Sequence, residues 1–142
     1  LEAVHREYSL PIIFPMHPRT RKRVERFGIP LDGISVVNPV GFLEFLQLES
    51  NARLVLTDSG GVQEETCILG VPCVTLRENT ERPETIEVGG NVLAGTGADE
   101  ILRAAGRMLA RFGTWENPYG DGMAGRMIVT ICNGLPSRNN CH

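Results

Sequence analysis

Short apolar runs alternate with amphipathic stretches along this chain. Leu10–Phe14 is a first compact run, Val36–Val37 sits in a second, and Arg53–Thr57 reads R-L-V-L-T. Pro72–Leu76 reads P-C-V-T-L, and Asn91–Ala94 is a last, short run. Runs this short, rich in Val, Ile and Leu, are the mark of parallel strands buried on both faces. The stretches between them have helical signals. Arg19–Phe27 opens after Pro18 and stops at Gly28, and Gly61–Leu69 stops at Gly70. Gly41–Ser50 places Phe42, Phe45, Leu46 and Leu48 at near-helical spacing. Asp99 predicts an N-cap for Glu100–Arg111, whose apolar face is Ile101, Leu102, Ala105, Met108 and Leu109. A final helix is expected over Met123–Cys132, followed by a polar, frayed tail at 136–142. Strands alternating with helices predict an α/β fold, a doubly wound parallel sheet, over residues 1–135.

Composition changes this picture little. The chain has 142 residues, enough for one domain with a core, and a formal net charge of −3. That charge gives no global electrostatic case for nucleic acid or an anionic membrane, and no apolar run reaches the length of a membrane span. The basic cluster Arg19, Arg21, Lys22, Arg23 and Arg26 lies on an amphipathic helix with no aromatic platform nearby, so it reads as a solvated face. Cys67, Cys73, Cys132 and Cys141 have no metal-binding spacing. Cys67 and Cys73 read as small core residues, reduced as in a cytoplasmic protein. No metal and no cofactor is expected. The chain begins Leu1-Glu2-Ala3 without an initiator Met and reads as an excerpt of something longer.

Ligands of open α/β sheets bind beyond the carboxyl ends of the strands, where a loop enters the next helix. That rule selects His17, Asn38–Gly41, Asp58–Gly61 and Arg77–Pro83. The third place is the most informative. Leu54-Val55-Leu56-Thr57-Asp58-Ser59-Gly60-Gly61 reads as a strand, a glycine turn and a helix start. Adjacent glycines let backbone N–H groups approach a diphosphate, with the helix N-terminus behind them. Ser59 adds a hydroxyl, and Glu65, about one helical turn further on, can take two ribose hydroxyls. The plain alternative is a strand–helix turn capped by Asp58 or Ser59. In the fourth place, Arg77-Glu78-Asn79-Thr80-Glu81-Arg82-Pro83-Glu84, an Arg can add a charge-assisted bond to the same phosphates. The alternative there is a solvated loop whose Pro83 opens a helix.

The string T-D-S-G-G-V-Q-E-E, followed by R-E-N-T-E-R-P-E, resembles the signature of the non-hydrolysing UDP-N-acetylglucosamine 2-epimerases. F-P-M-H-P-R-T-R at Phe14–Arg21 and N-P-Y-G-D-G at Asn117–Gly122 agree with it, in family order. The resemblance implies a Rossmann-like domain, the C-terminal, UDP-binding half of a GT-B two-domain architecture. By motif, Ser59, Gly60 and Gly61 are implied to hold the diphosphate, Glu65 the ribose, and Arg82 to lie at the nucleotide. Phe45 is implied to pack on the uracil and the backbone of Val40 to read its edge. His17 falls where bacterial members contact a second, activating UDP-sugar. The implied reaction inverts C2 of UDP-N-acetylglucosamine by elimination of UDP to a glycal and re-addition to the opposite face. Proton-transferring carboxylates are expected on an N-terminal domain outside this chain. The implied partners are UDP and UDP-N-acetylhexosamine, with a homodimer as the full-length state.

Family members also begin this domain with a strand ending in V-T-x-H-R-x-E-N. His5-Arg6-Glu7 is too near the next motif to be that segment and reads as the helix after it, with His5 partly exposed. In the strand order 3-2-1-4-5-6 the missing strand is the central one, leaving two strands without a neighbour. Three other readings stay open: a glycosyltransferase of the same architecture, a hydrolysing epimerase, and a non-catalytic nucleotide-binding module.

Overall fold

The computed structural model describes residues 1–111 and 113–134. Its elements run α1 (Glu2–Tyr8), β1 (Ile12–Pro15), α2 (Pro18–Phe27), β2 (Ile34–Val37), α3 (Phe42–Ser50) and β3 (Val55–Thr57). They continue α4 (Gly60–Leu69), β4 (Cys73–Thr75), α5 (Pro83–Glu87), β5 (Asn91–Leu93), α6 (Ala98–Leu109) and α7 (Ala124–Gly134). Every apolar run became a strand, and every predicted helix formed. The tail at 136–142, including Cys141, lies outside the described residues.

All strand pairs are parallel. β1 pairs with β2, Ile12 opposite Ile34 through Pro15 opposite Val37. β4 lies between β3 and β5, with Cys73 opposite both Val55 and Asn91. The result is two sheets, β2-β1 and β3-β4-β5, and β1 does not pair with β3. The break falls between the two strands that the order 3-2-1-4-5-6 leaves without a neighbour once its first strand is removed.

The expectation of strands buried on both faces holds only for β4, whose three residues are all buried. β1 exposes Ile13 by 53%. The reason is positional, because β4 has a strand on each side and helices on both faces, whereas β1 has one strand neighbour. Val74 of β4 points into the apolar core with Ala94, Ala104 and Met108, and Leu54, Leu56, Leu76, Val92 and Ile101 pack around it. α6 covers that face, and α1 lies on α6, where the Tyr8 hydroxyl donates to the Leu102 carbonyl at 2.9 Å. Full burial of a side chain such as Val74 or Met108 stabilises the domain by about 1.5–3 kcal/mol.

Local chemistry sets the helix ends. Gly70 closes α4 at φ 72°, a conformation that favours glycine, and its N–H returns to the Cys67 and Thr66 carbonyls. α6 corrects the expectation for Asp99. Gly97 occupies the N-cap position and Asp99 lies inside the first turn, so it complements the helix dipole rather than capping. α2 has no buried residue, and its cations form an exposed face as expected. His5 lies on α1, half-buried, its Nδ1 2.8 Å from the Leu10 carbonyl. Cys67 and Cys73 are buried free thiols, as expected of core residues.

Candidate functional site

The carboxyl end of β3 runs through Asp58 and Ser59 straight into α4. Ser59 is the N-cap, but neither its side chain nor that of Asp58 caps the helix. The turn is held one residue earlier, where the Ser59 N–H donates to Thr57 Oγ1 at 3.0 Å. The plain alternative of a turn capped by the side chain of Asp58 or Ser59 therefore does not hold. Gly60 and Gly61 are the first two helical residues, and neither has a positive φ, so the backbone alone does not demand glycine there. A Cβ on Gly61 would meet only Ser59 Oγ, at 3.9 Å, and Gly61 is exposed. Folding therefore does not explain the second glycine. The first N–H groups of a helix have no intrahelical acceptor, and the open space beside Gly61 leaves room for an anionic ligand to reach them.

The segment after β4 is largely solvated, with Glu78, Asn79, Glu81, Pro83 and Glu84 exposed and Pro83 opening α5, but Thr80 and Arg82 dock on α4. Thr80 Oγ1 donates to Gln63 Oε1, and Arg82 Nε pairs with Glu64 Oε1 at 2.5 Å. The Glu81 carboxylate reaches over Gly60, within 2.5 Å of where a Cβ would stand. Arg77 pairs with Glu81 at 3.1 Å. Beneath them lies a buried polar network. Asn91 Nδ2 donates to Gln63 Oε1 (3.3 Å) and Thr85 Oγ1 (3.0 Å), while Thr75 Oγ1 donates to Asn91 Oδ1 (2.9 Å). Thr85 Oγ1 in turn donates to the Arg82 carbonyl at 2.8 Å. These hydrogen bonds fix geometry and hold the loop in one place against the glycine turn, although Gln63 Nε2 is buried without a partner among the described residues.

The N-P-Y-G-D-G segment reaches the same place. Asn117 folds it locally, accepting from the Tyr119 N–H and donating to the Gly120 carbonyl, both at 2.9 Å. Tyr119 then stands near Glu64, Glu84 and Arg82. Burial, then the two carboxylates, push its phenol up, with Arg82 pulling against them.

α3 supplies the other flank. Val40 is 40% exposed just before it, and Phe45 is half-buried on it. Glu49 lies one turn beyond Phe45 on the same face and is only 3% exposed. It stands beside Glu65 of α4, and α3 packs on α4. Phe45 and Glu65 thus belong to one surface, next to the glycine turn. His17 is apart from it. It is the N-cap of α2, with Nδ1 accepting from the Arg19 N–H at 3.2 Å, and it is exposed. The β1–β2 pairing brings it to the same end of the sheets as Val37 and Asn38, where Arg21 reaches Asn38 Oδ1 at 3.5 Å. Of the residues that sequence reasoning singled out, the fold places the glycine turn and Glu65 on α4 and Arg82 against it. Sequence reasoning missed Thr57, whose partner Ser59 is two residues away, and Gln63 and Glu49, whose roles come from partners distant in the chain.

Among the described residues, no three His, Cys, Asp or Glu side chains converge as a metal site, and no helix is long and apolar enough to cross a membrane.

Parallel α/β layers with a strand–Gly-Gly–helix turn at the carboxyl end of the sheet define a Rossmann-like domain, here one half of the GT-B architecture. The family described as UDP-N-acetylglucosamine 2-epimerase matches residues 1–133, and the chain belongs to that family. A UDP-N-acetylglucosamine 2-epimerase of Methanococcus maripaludis is 53% identical over 136 residues, which is 92% of this chain and 37% of the relative. The structure of the Methanocaldococcus jannaschii UDP-GlcNAc 2-epimerase in complex with UDP-GlcNAc and UDP is 50% identical, with a TM-score of 0.84. It covers 93% of this chain and 38% of that one. A UDP-2,3-diacetamido-2,3-dideoxy-D-glucuronate 2-epimerase of Pseudomonas aeruginosa is 44% identical over 84% of the chain. The chain therefore spans a little over a third of the length of these relatives.

Proposed function

We propose that this chain is the nucleotide-binding half of a UDP-N-acetylglucosamine 2-epimerase. The carrying observation is the glycine turn, with clearance over Gly61 that folding does not require. Gly60 and Gly61 N–H groups and Ser59 Oγ hold the diphosphate, and Arg82 adds a cation, steadied by Glu64. Glu65 takes the ribose hydroxyls. Phe45 stacks on the uracil, and the Val40 backbone reads its edge. His17, at the other loop of the same end, is the candidate contact for a second UDP-sugar.

The chemistry follows from these roles. Removal of the C2 proton and cleavage of the C1–oxygen bond give a glycal and UDP, whose diphosphate takes the bonding pair. Donors aimed at that diphosphate are strongest when its charge is greatest, which lowers the barrier to both elimination and return. UDP must stay bound while the glycal presents its other face to a proton. The base lies on another domain of the intact protein. A homodimer in the cytoplasm is the assembly and compartment we infer, the latter on the free buried thiols.

The test is proton exchange. The intact protein, given UDP-N-acetylglucosamine in deuterated water, is expected to form UDP-N-acetylmannosamine carrying deuterium at C2, followed by NMR. Residues 1–142 alone are expected to give neither product nor exchange. Exchange on this chain alone would refute the division of labour, and transfer of the sugar to an acceptor without inversion would refute epimerisation.

A further inference from the structure

We infer that Glu49 is a positioning residue for the nucleotide site, a protonated carboxyl that donates a hydrogen bond to Glu65 and fixes the orientation in which Glu65 meets the ribose. The inference rests on Glu65 as the ribose ligand, as proposed above.

The geometry requires some account of Glu49. It lies on the last turn of α3 with 3% of its surface exposed, and among the described residues neither carboxyl oxygen has a hydrogen-bond partner. An unpaired buried carboxylate is among the costliest groups a core can hold, and ordinarily it is neutralised or paired with a cation. Among the described residues no cation pairs with it. The titratable groups facing Glu49 are Glu65 from α4 and the Cys73 thiol from β4. Burial pushes that thiol up to about 12, so it stays neutral. Two adjacent carboxyls in a water-poor place share a proton more readily than both ionise. Burial first, and Glu65 second, raise Glu49 to about 7.

Which of the pair keeps the proton follows from exposure. Glu65 is half-buried with a face open to a ligand, whereas Glu49 is enclosed. Glu49 is therefore the donor and Glu65 the acceptor of a charge-assisted bond. One hydrogen bond from Glu49 leaves Glu65 with lone pairs for two ribose hydroxyls and removes its freedom to rotate away. When Glu49 ionises, the bond is lost and like charges drive Glu65 from that orientation.

The experiment is calorimetric titration of UDP into the intact protein at about pH 6 and about pH 8, with pyrophosphate as a ribose-free probe. Because UDP titrates in the same range, the readout is the ratio between variants at each pH. Relative to Glu49→Gln, whose amide donates at any pH, the wild type is expected to lose about tenfold in UDP affinity across that range, tracking the protonated fraction of Glu49. Pyrophosphate is expected to show no such difference. Glu49→Met, with no donor, is expected to bind UDP more weakly than Glu49→Gln at both pH values. Parallel behaviour of wild type and Glu49→Gln, or equal binding by Glu49→Met and Glu49→Gln, overturns the inference. Glu65→Ala separates the two levels. If it leaves UDP affinity unchanged, the ribose assignment itself has failed; if it weakens UDP while the Glu49 variants match wild type, only the role of Glu49 has failed.

Discussion

Gly61→Ala separates folding from binding at the glycine turn. Gly61 lies in the first turn of α4 with no positive φ, and an added Cβ would meet only Ser59 Oγ, at 3.9 Å. That distance is ordinary van der Waals contact, so the fold accepts the methyl group. Alanine also loses less backbone entropy than glycine on entering a helix, worth at most about 1 kcal/mol at an interior position and less in the first turn. Stability is therefore expected to stay level or rise by up to about 1 kcal/mol. Binding is expected to move the other way. A diphosphate that draws the turn's N–H groups to hydrogen-bonding distance lies over the bare Cα of Gly61, where a Cβ intrudes, while over Gly60 the Glu81 carboxylate has to move aside first. Losing one charge-assisted bond to the phosphate costs about 1.5–3 kcal/mol, roughly ten- to hundredfold in affinity. Urea denaturation measures the first quantity and UDP calorimetry the second. A destabilisation beyond about 1 kcal/mol would show that glycine is structural here. Unchanged UDP affinity in a stable variant would remove the diphosphate from this turn.

Arg82→Ala is expected to weaken UDP by about 1.5–3 kcal/mol, because it removes a cation and leaves Glu64 facing the diphosphate unpaired; equal affinity by calorimetry would place Arg82 outside the site. UDP is expected to bind more tightly than ADP, and equal affinities would end the base-reading roles of Val40 and Phe45. Glu49→Met is expected to stabilise the fold in a pH-dependent way. A carboxyl raised from 4.5 to about 7 binds its proton more tightly when folded, so wild-type stability falls as pH rises through that window and levels off above it. At about 1.4 kcal/mol per factor of ten, the gain of the variant should widen by up to about 3 kcal/mol between about pH 4.5 and about pH 7. A gain that does not change with pH, measured by urea denaturation, would refute the assignment of that shift to Glu49.

Local signals made most of the architecture legible. The run P-C-V-T-L is β4 because β-branched residues bounded by Gly70 and a charged loop have few other options. Gly28 and Gly70 stop α2 and α4 because each takes the left-handed conformation. Such features act over a few residues, so sequence shows them. Asp99 failed on the same scale, because Gly97 takes the extended N-cap backbone two positions earlier and leaves Asp99 helical. The degree of burial was not local. It depends on how many neighbours a strand acquires, which is why β4 and β1 read alike in sequence and differ in exposure.

The site divides in the same way. Ser59-Gly60-Gly61 and Glu65 are legible because a strand end, a glycine pair and one helical turn lie on a single stretch of chain. The residues that hold them are not contiguous. Gln63 and Asn91 are 28 positions apart, and Thr75 and Asn91 are 16 apart, yet their hydrogen bonds anchor the segment that carries Arg82. Each reads alone as an ordinary polar residue in an apolar setting. Only the packing of α4 on β4, with β5 paired alongside, turns them into one network. Glu49 is the sharpest case. In sequence it is a charged residue near the end of an amphipathic helix, where solvent exposure is the natural expectation. In the fold it is enclosed, and the charged group that acts on it, Glu65, has the same sign. A chain that spent stability on that arrangement without return would be expected to replace Glu49 by an apolar residue of similar size, which fits the same space at lower cost. A proton held between Glu49 and Glu65, with Glu65 open to a ligand on its other side, gives the carboxyl a use that methionine cannot supply.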